Sequence, residues 1–303
     1  MNSIEIRELT REYDGIRAVD HLTFDVLPGR VTGFLGPNGA GKSTTMRLLL
    51  GLDRPTSGTA TIGGRRYTGF TDPLHRVGAL LDPQSIHGGR TARDHLRFLA
   101  ATNRIPMRRV EEVLEQAGIA SAARRRVKKF SLGMRQRLGI AAALLGDPGV
   151  VLLDEPTNGL DPEGIIWIRE LMRSLAAEGR TVLVSSHLMS ETAALADHLV
   201  VLGRGKLLAD TAMEEFIAAR STPRVRVRTS DPARLRAALA REGFELVSAD
   251  GGRWTVEGIQ AEQVGAMAAR EGVPVLELSD ERASLEQAYL DLTAGHAQFA
   301  ATH

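Results

Sequence analysis

Apolar residues recur along the chain in three patterns, which predict where strands and helices lie. Alternation of apolar and polar residues over 4–9 and 22–26 predicts half-buried antiparallel strands. Unbroken apolar runs at 150–153 and 181–184 predict strands that are covered on both faces of a parallel sheet. Between these runs, residues 165–178 carry apolar side chains at helical spacing. Strands that alternate with helices in this way predict an α/β layer.

A helical stretch and a separate C-terminal segment complete the pattern. Residues 88–146 have apolar positions at three- and four-residue spacing, which predicts a helical subdomain. Beyond the first domain, expected over residues 1–220, the pattern changes to a βαββαβ order followed by one more helix. That order is compatible with a small ferredoxin-like α+β domain over residues 222–295. We expect residues 296–303 to form a disordered tail.

Composition and charge exclude several classes of function. The chain has 303 residues, which is long enough for one large domain and a small one. Its formal net charge of +1 gives no basic field of the kind that holds nucleic acid, so no nucleic-acid partner is expected. The basic run at 124–129 could form a nucleic-acid patch, but it lacks accompanying aromatic residues and is better explained as a solvated face or a contact with a partner. The absence of cysteine excludes disulfides and thiolate metal sites.

The sequence shows neither a secretory signal nor a transmembrane segment. The first residues include Glu5 and Glu8 and have no apolar core, unlike a signal peptide. No apolar stretch approaches the roughly 18 to 20 residues that a transmembrane helix needs. We therefore expect a cytoplasmic chain that reaches a membrane only through a partner.

One glycine-rich segment, between an apolar run at 31–35 and a helix-like run at 45–50, carries the clearest chemical signal. It consists of Gly36, Pro37, Asn38, Gly39, Ala40, Gly41, Lys42, Ser43 and Thr44. Glycines let backbone N–H groups converge on a phosphate, and the N-terminus of the following helix favours the same anion. In this P-loop pattern Lys42 is expected to reach the β- and γ-phosphates and Ser43 to ligate Mg²⁺. The segment predicts a nucleoside triphosphate site.

Three polar residues follow the two buried runs and predict hydrolysis of that nucleotide. Asp154 ends the first run and is expected to hold the magnesium shell. Glu155 comes next and is expected to orient or deprotonate the water that attacks the γ-phosphate. His187 follows the second run and is expected to contact the γ-phosphate at the same sheet edge. The simpler interpretation, an acidic strand end in solvent and a structural histidine, fits the P-loop context less well.

A second motif gives the chain a family resemblance. Residues 130–137 read Phe-Ser-Leu-Gly-Met-Arg-Gln-Arg. They resemble the signature Leu-Ser-Gly-Gly-Gln-x-Gln-Arg of ATP-binding-cassette (ABC) transporters and lie, as in that family, between the P-loop and Glu155. Residues 1–220 thus resemble the ATP-binding subunit of an ABC transporter. The resemblance implies ATP as the nucleotide and the ABC ATPase fold, with a mixed-sheet core, an antiparallel β subdomain and a helical subdomain.

The resemblance also implies roles for residues outside the P-loop. Ser131 and Gly133 belong to the signature, which in the family binds the γ-phosphate from the opposite subunit. Asp161 lies in a segment that resembles the D-loop of the family. Tyr13 matches the aromatic residue that stacks on adenine, and stacking on a base suits an aromatic plane; the alternative for Tyr13 is a tyrosine of the core.

The same resemblance implies an assembly. In the family, two ATP-binding subunits meet head to tail, and each ATP lies between the P-loop of one and the signature of the other. We therefore expect a homodimer on ATP binding, or a pair with a related ATPase subunit. The pair would drive an integral membrane permease from the inner face of the cell membrane.

Two departures from the family pattern bear on mechanism and substrate. The signature has Leu132-Gly133-Met134 where the common form has Gly-Gly-Gln. Asp82 stands where the family has its Q-loop glutamine, and Gln84 lies two positions later, so either residue is a candidate for that role. A carboxylate at Asp82 could bind Mg²⁺ or an ordered water. With an acidic residue at this position, the chain resembles the branch of the family that exports antibiotics such as bacitracin or daunorubicin. That resemblance implies export of a hydrophobic drug, antibiotic or lipid-like compound.

Two other functions stay open at this point. One is a soluble ABC-type ATPase that regulates the ribosome or DNA without a permease, although a single cassette and a nearly neutral charge favour transport. The other is a sensor in which residues 222–303 recognise a ligand or a partner.

Overall fold

The chain folds as two units, Met1–Met213 and Glu214–His303. The computed structural model describes residues 2–219, 223–249, 252–281, 285–286, 288–290 and 292. The expected tail at 296–303 lies outside the described residues. The division falls upstream of the boundary at residue 220 that the sequence pattern indicated.

The first unit contains two sheets and a group of helices. Its strands are β1 (Ile4–Tyr13), β2 (Ile16–Val26), β3 (Val31–Leu35), β4 (Ser57–Ile62), β5 (Val77–Leu80), β6 (Val150–Asp154), β7 (Thr181–Ser186), β8 (His198–Gly203) and β9 (Lys206–Ala212). Its helices are α1 (Lys42–Leu49), α2 (Ala92–Thr102), α3 (Arg108–Gln116), α4 (Leu132–Leu144), α5 (Pro162–Ala177) and α6 (Met189–Ala193). A further helix, α7 (Met213–Ala219), crosses the division between the units.

The larger sheet has the order β5-β6-β7-β3-β8-β9. All neighbours run parallel except β8 and β9, which are antiparallel, so the sheet is mixed as predicted. The two unbroken apolar runs form β6 and β7, and every residue of both strands is buried. Since β3 and β6 both flank β7, the segments that follow these three strands meet at one sheet edge.

A smaller antiparallel sheet has the order β2-β1-β4. Strand β1 continues to Tyr13, beyond the end at residue 9 that alternation suggested. The cause is a register shift between Ile6 and Leu9, where Glu8 has a left-handed φ of 47°. Such a bulge adds a residue and breaks the two-residue period, so the second half of the strand is hidden from pattern analysis.

Helices α2, α3 and α4 form the helical part of the first unit, inside the range 88–146 expected from sequence. Their buried apolar residues belong to one core with the faces of β6 and β7. Two of these helices begin at hydroxyl caps: Thr91 accepts the Asp94 N–H at the start of α2, and Ser131 accepts the Met134 N–H at the start of α4. No described helix is both long and apolar enough to cross a lipid bilayer.

The second unit is an antiparallel sheet with two main helices. Its strands are β10 (Arg224–Thr229), β11 (Leu246–Ser248), β12 (Trp254–Glu257) and β13 (Val275–Glu281), and its helices are α8 (Pro232–Arg241) and α9 (Ala261–Arg270). The strand order is β11-β12-β10-β13. A separate core forms where Val225 and Val227 of β10 pack against Leu235 and Val264 of the helices. The elements follow one another as βαββαβ; the ferredoxin-like assignment stays a prediction.

Candidate nucleotide-binding site

The P-loop joins the end of β3 to the start of α1 through backbone that only glycine accommodates. At Gly36, a Cβ atom would lie 2.6 Å from the carbonyl oxygen of Leu202 on the adjacent strand β8. At Gly41, φ is 104° and a Cβ atom would lie 2.5 Å from the carbonyl oxygen of Ala18. Side chains are therefore excluded at both positions. Helix α1 starts at Lys42, earlier than the apolar run indicated, because its first turn is polar.

Lys42 is folded back across this loop. Its Nζ donates hydrogen bonds to the carbonyl oxygens of Gly36 at 2.6 Å and Pro37 at 3.3 Å. Only 6% of the side chain is exposed, and Nζ lies 3.9 Å from Oε1 of Glu155. Burial lowers the pKa of Lys42, while the carboxylates of Glu155 and Asp154 act in the opposite direction. A cation held this way at a helix N-terminus suits the phosphates of a nucleotide.

The remaining loop residues differ in exposure. Gly36, Ala40 and Gly41 are buried and Thr44 is half-buried, whereas Pro37, Asn38, Gly39 and Ser43 are exposed. The exposed set includes the tip of the loop and the hydroxyl-bearing second residue of α1. The described arrangement therefore leaves the loop tip and the Ser43 side chain accessible to a ligand.

A single hydroxyl on β7 fixes both acids at the end of β6. The Ser185 Oγ donates a hydrogen bond to Asp154 Oδ1 and accepts the Glu155 N–H at 2.9 Å. Asp154 is 9% exposed and Ser185 is fully buried. Because donor and acceptor capacity of Ser185 are both used, the backbone of Glu155 is tied to the side chain of Asp154.

Glu155 has a left-handed φ of 49°, which is uncommon for a residue with a Cβ atom. Its carbonyl oxygen accepts a hydrogen bond from Nε2 of the buried Gln136 at 3.3 Å. Its side chain points to the other groups of the site: Oε2 lies 2.8 Å from Nδ1 of His187, and Oε1 faces Lys42. The structure thus brings Lys42 of the P-loop together with Glu155 and His187, which follow two buried apolar strands at one sheet edge.

The signature and D-loop residues contact each other instead of the P-loop. Ser131 is exposed and caps α4, and Asp161 is exposed and caps α5 by accepting the Gly164 N–H at 2.9 Å. A Cβ atom on Gly133 would lie 2.6 Å from the carbonyl oxygen of Gly159. Among the described residues, neither the Ser131 nor the Asp161 side chain bonds to the P-loop. Asp161 also explains why α5 starts before residue 165: the cap and Pro162 add its first turn.

Tyr13 is not a core tyrosine. It ends β1, is 37% exposed, and donates its hydroxyl hydrogen to Asp53 Oδ2 at 3.0 Å.

Asp82 lies just after β5, where its side chain accepts the Gln84 N–H at 2.7 Å. Both Asp82 and Gln84 are exposed, so the structure leaves both open as candidates for the Q-loop role.

Three residues of this region, Ser185, Gln136 and Asp53, have roles in the structure that the sequence does not predict. Ser185 directly follows an apolar run and Gln136 lies in the signature, but neither motif indicates which residue their side chains contact. Asp53 has no local motif at all. The partners of these residues are distant in sequence, and only the folded register of β1, β6 and β7 brings them together.

Comparison with known proteins identifies the family. Residues 19–158 match a protein family described as ABC transporter. The chain is 44% identical over 216 residues to the bacitracin transport ATP-binding protein BcrA of Bacillus licheniformis, which covers 70% of this chain and 71% of that protein. The chain belongs to the ABC transporter family.

Further relatives agree with this assignment. A lantibiotic transport ATP-binding protein, SrtF of Streptococcus pyogenes, is 36% identical over 205 residues, covering 68% of this chain and 89% of the relative. A solved ATP-binding subunit of an ABC transporter aligns with a TM-score of 0.63 and 27% identity, over 71% of this chain and 92% of that one. The predicted ABC ATPase fold is confirmed, and the chain is an ATP-binding subunit with ATPase activity. Residues 223–286 match a domain of unknown function, DUF8746.

Proposed function

We propose that this ATPase subunit powers a separate integral membrane permease that exports a hydrophobic drug, antibiotic or lipid-like compound. The observation that carries the ATPase part is the convergence of Lys42, Glu155 and His187 beside the P-loop. The relatives named for bacitracin and lantibiotic transport support antibiotic-like cargo. The subunit would act at the inner face of the cell membrane, held there by its permease.

The hydrolytic step uses the three side chains in different ways. Lys42 binds the β- and γ-phosphates and offsets their charge. Glu155 takes a proton from the attacking water as the water oxygen bonds to the γ-phosphorus and the bond to the bridging oxygen breaks. His187 contacts the γ-phosphate, and its hydrogen bond to Glu155 links phosphate and base. The backbone of Glu155, held by Ser185 and Gln136, keeps the carboxylate in place.

Mg²⁺ fits the residues at the mouth of the loop. Ser43 presents an exposed hydroxyl at the start of α1, and Asp154 has a carboxylate oriented by Ser185. Both are oxygen ligands of the kind that Mg²⁺ prefers, and substrate phosphates complete such sites. Bound Mg²⁺ would neutralise charge on the transferred phosphoryl group. Asp82, exposed at the end of β5, is a further candidate for this shell or for an ordered water.

A second subunit completes the site in this proposal. One chain carries one P-loop and one signature. The N-terminus of α4, with the exposed Ser131 hydroxyl and the N–H groups around Gly133, would bind the γ-phosphate held by the other subunit. Asp161 would line the same interface. The partner is a second copy of this chain or a related ATPase subunit.

Exchange of Glu155 for glutamine tests the catalytic part. Glu155→Gln should still bind ATP but hydrolyse it very slowly, so ATP should trap a dimer that sedimentation velocity detects. The same variant without ATP should sediment as a monomer. A variant that remains monomeric with saturating ATP would refute the composite site.

The permease part is tested by purification of the tagged chain from native membranes. We expect an integral membrane protein to copurify with it and to stimulate its ATPase activity. If ribosomes or DNA copurify instead and no membrane protein does, the soluble regulatory function replaces transport.

A further inference from the structure

Four side chains meet near the C-terminal end of the P-loop helix and form a connected polar group. Arg11 and Tyr13 lie on β1, Arg47 lies in the last turn of α1, and Asp53 lies in the loop between α1 and β4. We call this group the Tyr13 cluster. It contains no residue of the P-loop itself, and the hydrolytic step described above does not use it.

Asp53 holds the centre of the Tyr13 cluster. Its Oδ2 accepts the Tyr13 hydroxyl at 3.0 Å and Nε of Arg47 at 2.7 Å, and its Oδ1 accepts Nη2 of Arg47 at 3.2 Å. The two bonds from Arg47 form a bidentate pair, which fixes the orientation of a carboxylate better than one bond does. The hydrogen bond from Arg47, assisted by the one from Tyr13, lowers the pKa of Asp53. The carboxylate is therefore an ionised acceptor near neutral pH.

Arg11 covers one face of the tyrosine ring. Its guanidinium carbon lies 4.2 Å from the Tyr13 ring centroid, and its Nη1 donates to the carbonyl oxygen of Arg54 at 2.9 Å. Since Arg54 adjoins Asp53, the hydroxyl contact and the ring contact of Tyr13 are both tied to the same loop. Tyr13 nevertheless remains 37% exposed.

The loop that carries Asp53 is attached to both neighbouring elements. Leu52 N–H donates to the carbonyl oxygen of Arg47 at 2.9 Å, which joins the loop to α1. Thr56 N–H donates to the carbonyl oxygen of Thr10 at 2.8 Å, which joins it to β1. The ring of Tyr13 is therefore linked through Asp53 to the same helix that the P-loop opens.

We propose that Asp53 is a positioning residue of the adenine subsite, where it orients the Tyr13 ring and ties that ring to α1 through Arg47. This inference rests on the proposed ATPase function and on the stacking of Tyr13 on adenine that the family resemblance implies. Stacking depends on the plane of the ring, and a ring that is already held loses less conformational freedom when the base binds. Asp53 would therefore affect the binding of the base, through the Tyr13 ring, and not the binding of the phosphates.

Two ligands distinguish the contribution of the base to affinity from that of the phosphates. Full-length variants are titrated by calorimetry, at one Mg²⁺ concentration, with adenylyl imidodiphosphate and with inorganic tripolyphosphate, which has no base. Tyr13→Ala should lower the affinity for the adenine analogue by roughly five- to 150-fold, the range expected for one stacked base. Asp53→Ala should lower the same affinity by about two- to tenfold, which corresponds to the free-energy cost of ordering one side chain on binding. Neither change should alter tripolyphosphate affinity.

Control variants distinguish positioning from general stability. Asp25 on β2 pairs with Arg7 at 2.6 Å in the same sheet, and in the described part of the chain it has no hydrogen bond to a tyrosine. Asp25→Ala should therefore leave both affinities unchanged. Tyr13→Phe keeps the ring, removes the hydroxyl, and should reproduce the loss seen in Asp53→Ala. The double variant Tyr13→Ala/Asp53→Ala should bind no more weakly than Tyr13→Ala, since Asp53 acts only through the ring.

Three results would overturn the proposal while leaving the proposed function intact. They are unchanged analogue affinity in Asp53→Ala beside a loss in Tyr13→Ala, additive losses in the double variant, and an equal loss of tripolyphosphate affinity in Asp53→Ala. If Tyr13→Ala leaves analogue affinity unchanged, adenine stacking fails and the role of Asp53 fails with it. Unchanged tripolyphosphate affinity in Lys42→Ala would instead refute the P-loop assignment, and with it the proposal.

Discussion

At the scale of single residues, Lys42 combines two requirements that oppose each other. The P-loop needs a cation that reaches phosphate, yet the ammonium group is almost fully buried and is stabilised by two backbone carbonyls and the carboxylate of Glu155. Burial lowers the pKa of Lys42 because the charged form is desolvated. A bound phosphate would add a negative charge and favour the ammonium form again.

This opposition predicts proton uptake when ATP binds. In alkaline solution, a fraction of Lys42 is neutral in the free protein and becomes charged in the complex, so the affinity for ATP should fall as pH rises. The fall should begin below 10.5, the value of an ordinary lysine. Calorimetric titrations in two buffers of different ionisation enthalpy measure the uptake. As a control, the variant Lys42→Ala should lose tight ATP binding at every pH. For the wild-type protein, binding enthalpies that are identical in the two alkaline buffers would contradict proton uptake.

Asp82 offers a second prediction at the residue scale. Asparagine can cap the turn at Pro83–Ser85 as aspartate does, so Asp82→Asn removes the charge with little effect on stability. We expect Asp82→Asn to slow ATP hydrolysis more than Gln84→Ala, because the carboxylate is the group aligned with the Q-loop. Steady-state ATPase rates with the permease present rank the two variants. The reverse ranking would assign the Q-loop role to Gln84.

At the scale of elements, the start of α4 is packed against the segment after β6. The contact is between backbones: the space that a Cβ atom on Gly133 would occupy is 2.6 Å from the carbonyl oxygen of Gly159. A glycine here lets the signature helix approach the loop that follows Glu155. Gln136, farther along the same helix, reaches the carbonyl of Glu155. The signature helix is thus linked by a hydrogen bond to Glu155, the proposed general base, of its own chain.

A substitution at this contact tests how tightly it is packed. Gly133→Ala should lower the free energy of unfolding by about 1–3 kcal/mol, the usual cost of forcing extra atoms into a packed site. Gly69→Ala is a matched control, because a Cβ atom there meets nothing within 4 Å, and it should change stability by less than about 0.5 kcal/mol. Urea unfolding curves compare the two. Equal stabilities would mean that the contact is loose.

Elements whose formation depends on residues close in sequence were predicted better than contacts that depend on the tertiary structure. The P-loop, β6 and β7 depend on glycines and apolar runs, and these were predicted close to their observed bounds. The second half of β1 was missed because a bulge at Glu8 shifts the alternation. The links from Ser185 to Asp154 and from Asp53 to Tyr13 could not be predicted, since they depend on strand register and loop position rather than on any local pattern.

At the scale of the whole molecule, the residues of the proposed nucleotide site all belong to one of the two units. Every residue proposed to contact ATP or Mg²⁺ lies between Tyr13 and His187, inside the unit Met1–Met213. The second unit has its own sheet and its own apolar core. A unit to which no proposed phosphate-binding or catalytic residue belongs is available for regulation or recognition, the role left open by the sensor hypothesis.

Deletion of residues 222–303 tests this separation. Because the proposed site and the hydrogen bonds described around it lie in the first unit, the shortened chain should bind ATP with an affinity within about twofold of the full chain. A twofold change is smaller than the effect of losing one ordered contact. Calorimetry measures the affinity, and transport with the permease measures coupling. Retained transport with altered control would support a sensing role for the second unit. A tenfold loss of ATP affinity would show instead that the second unit supports the nucleotide site directly.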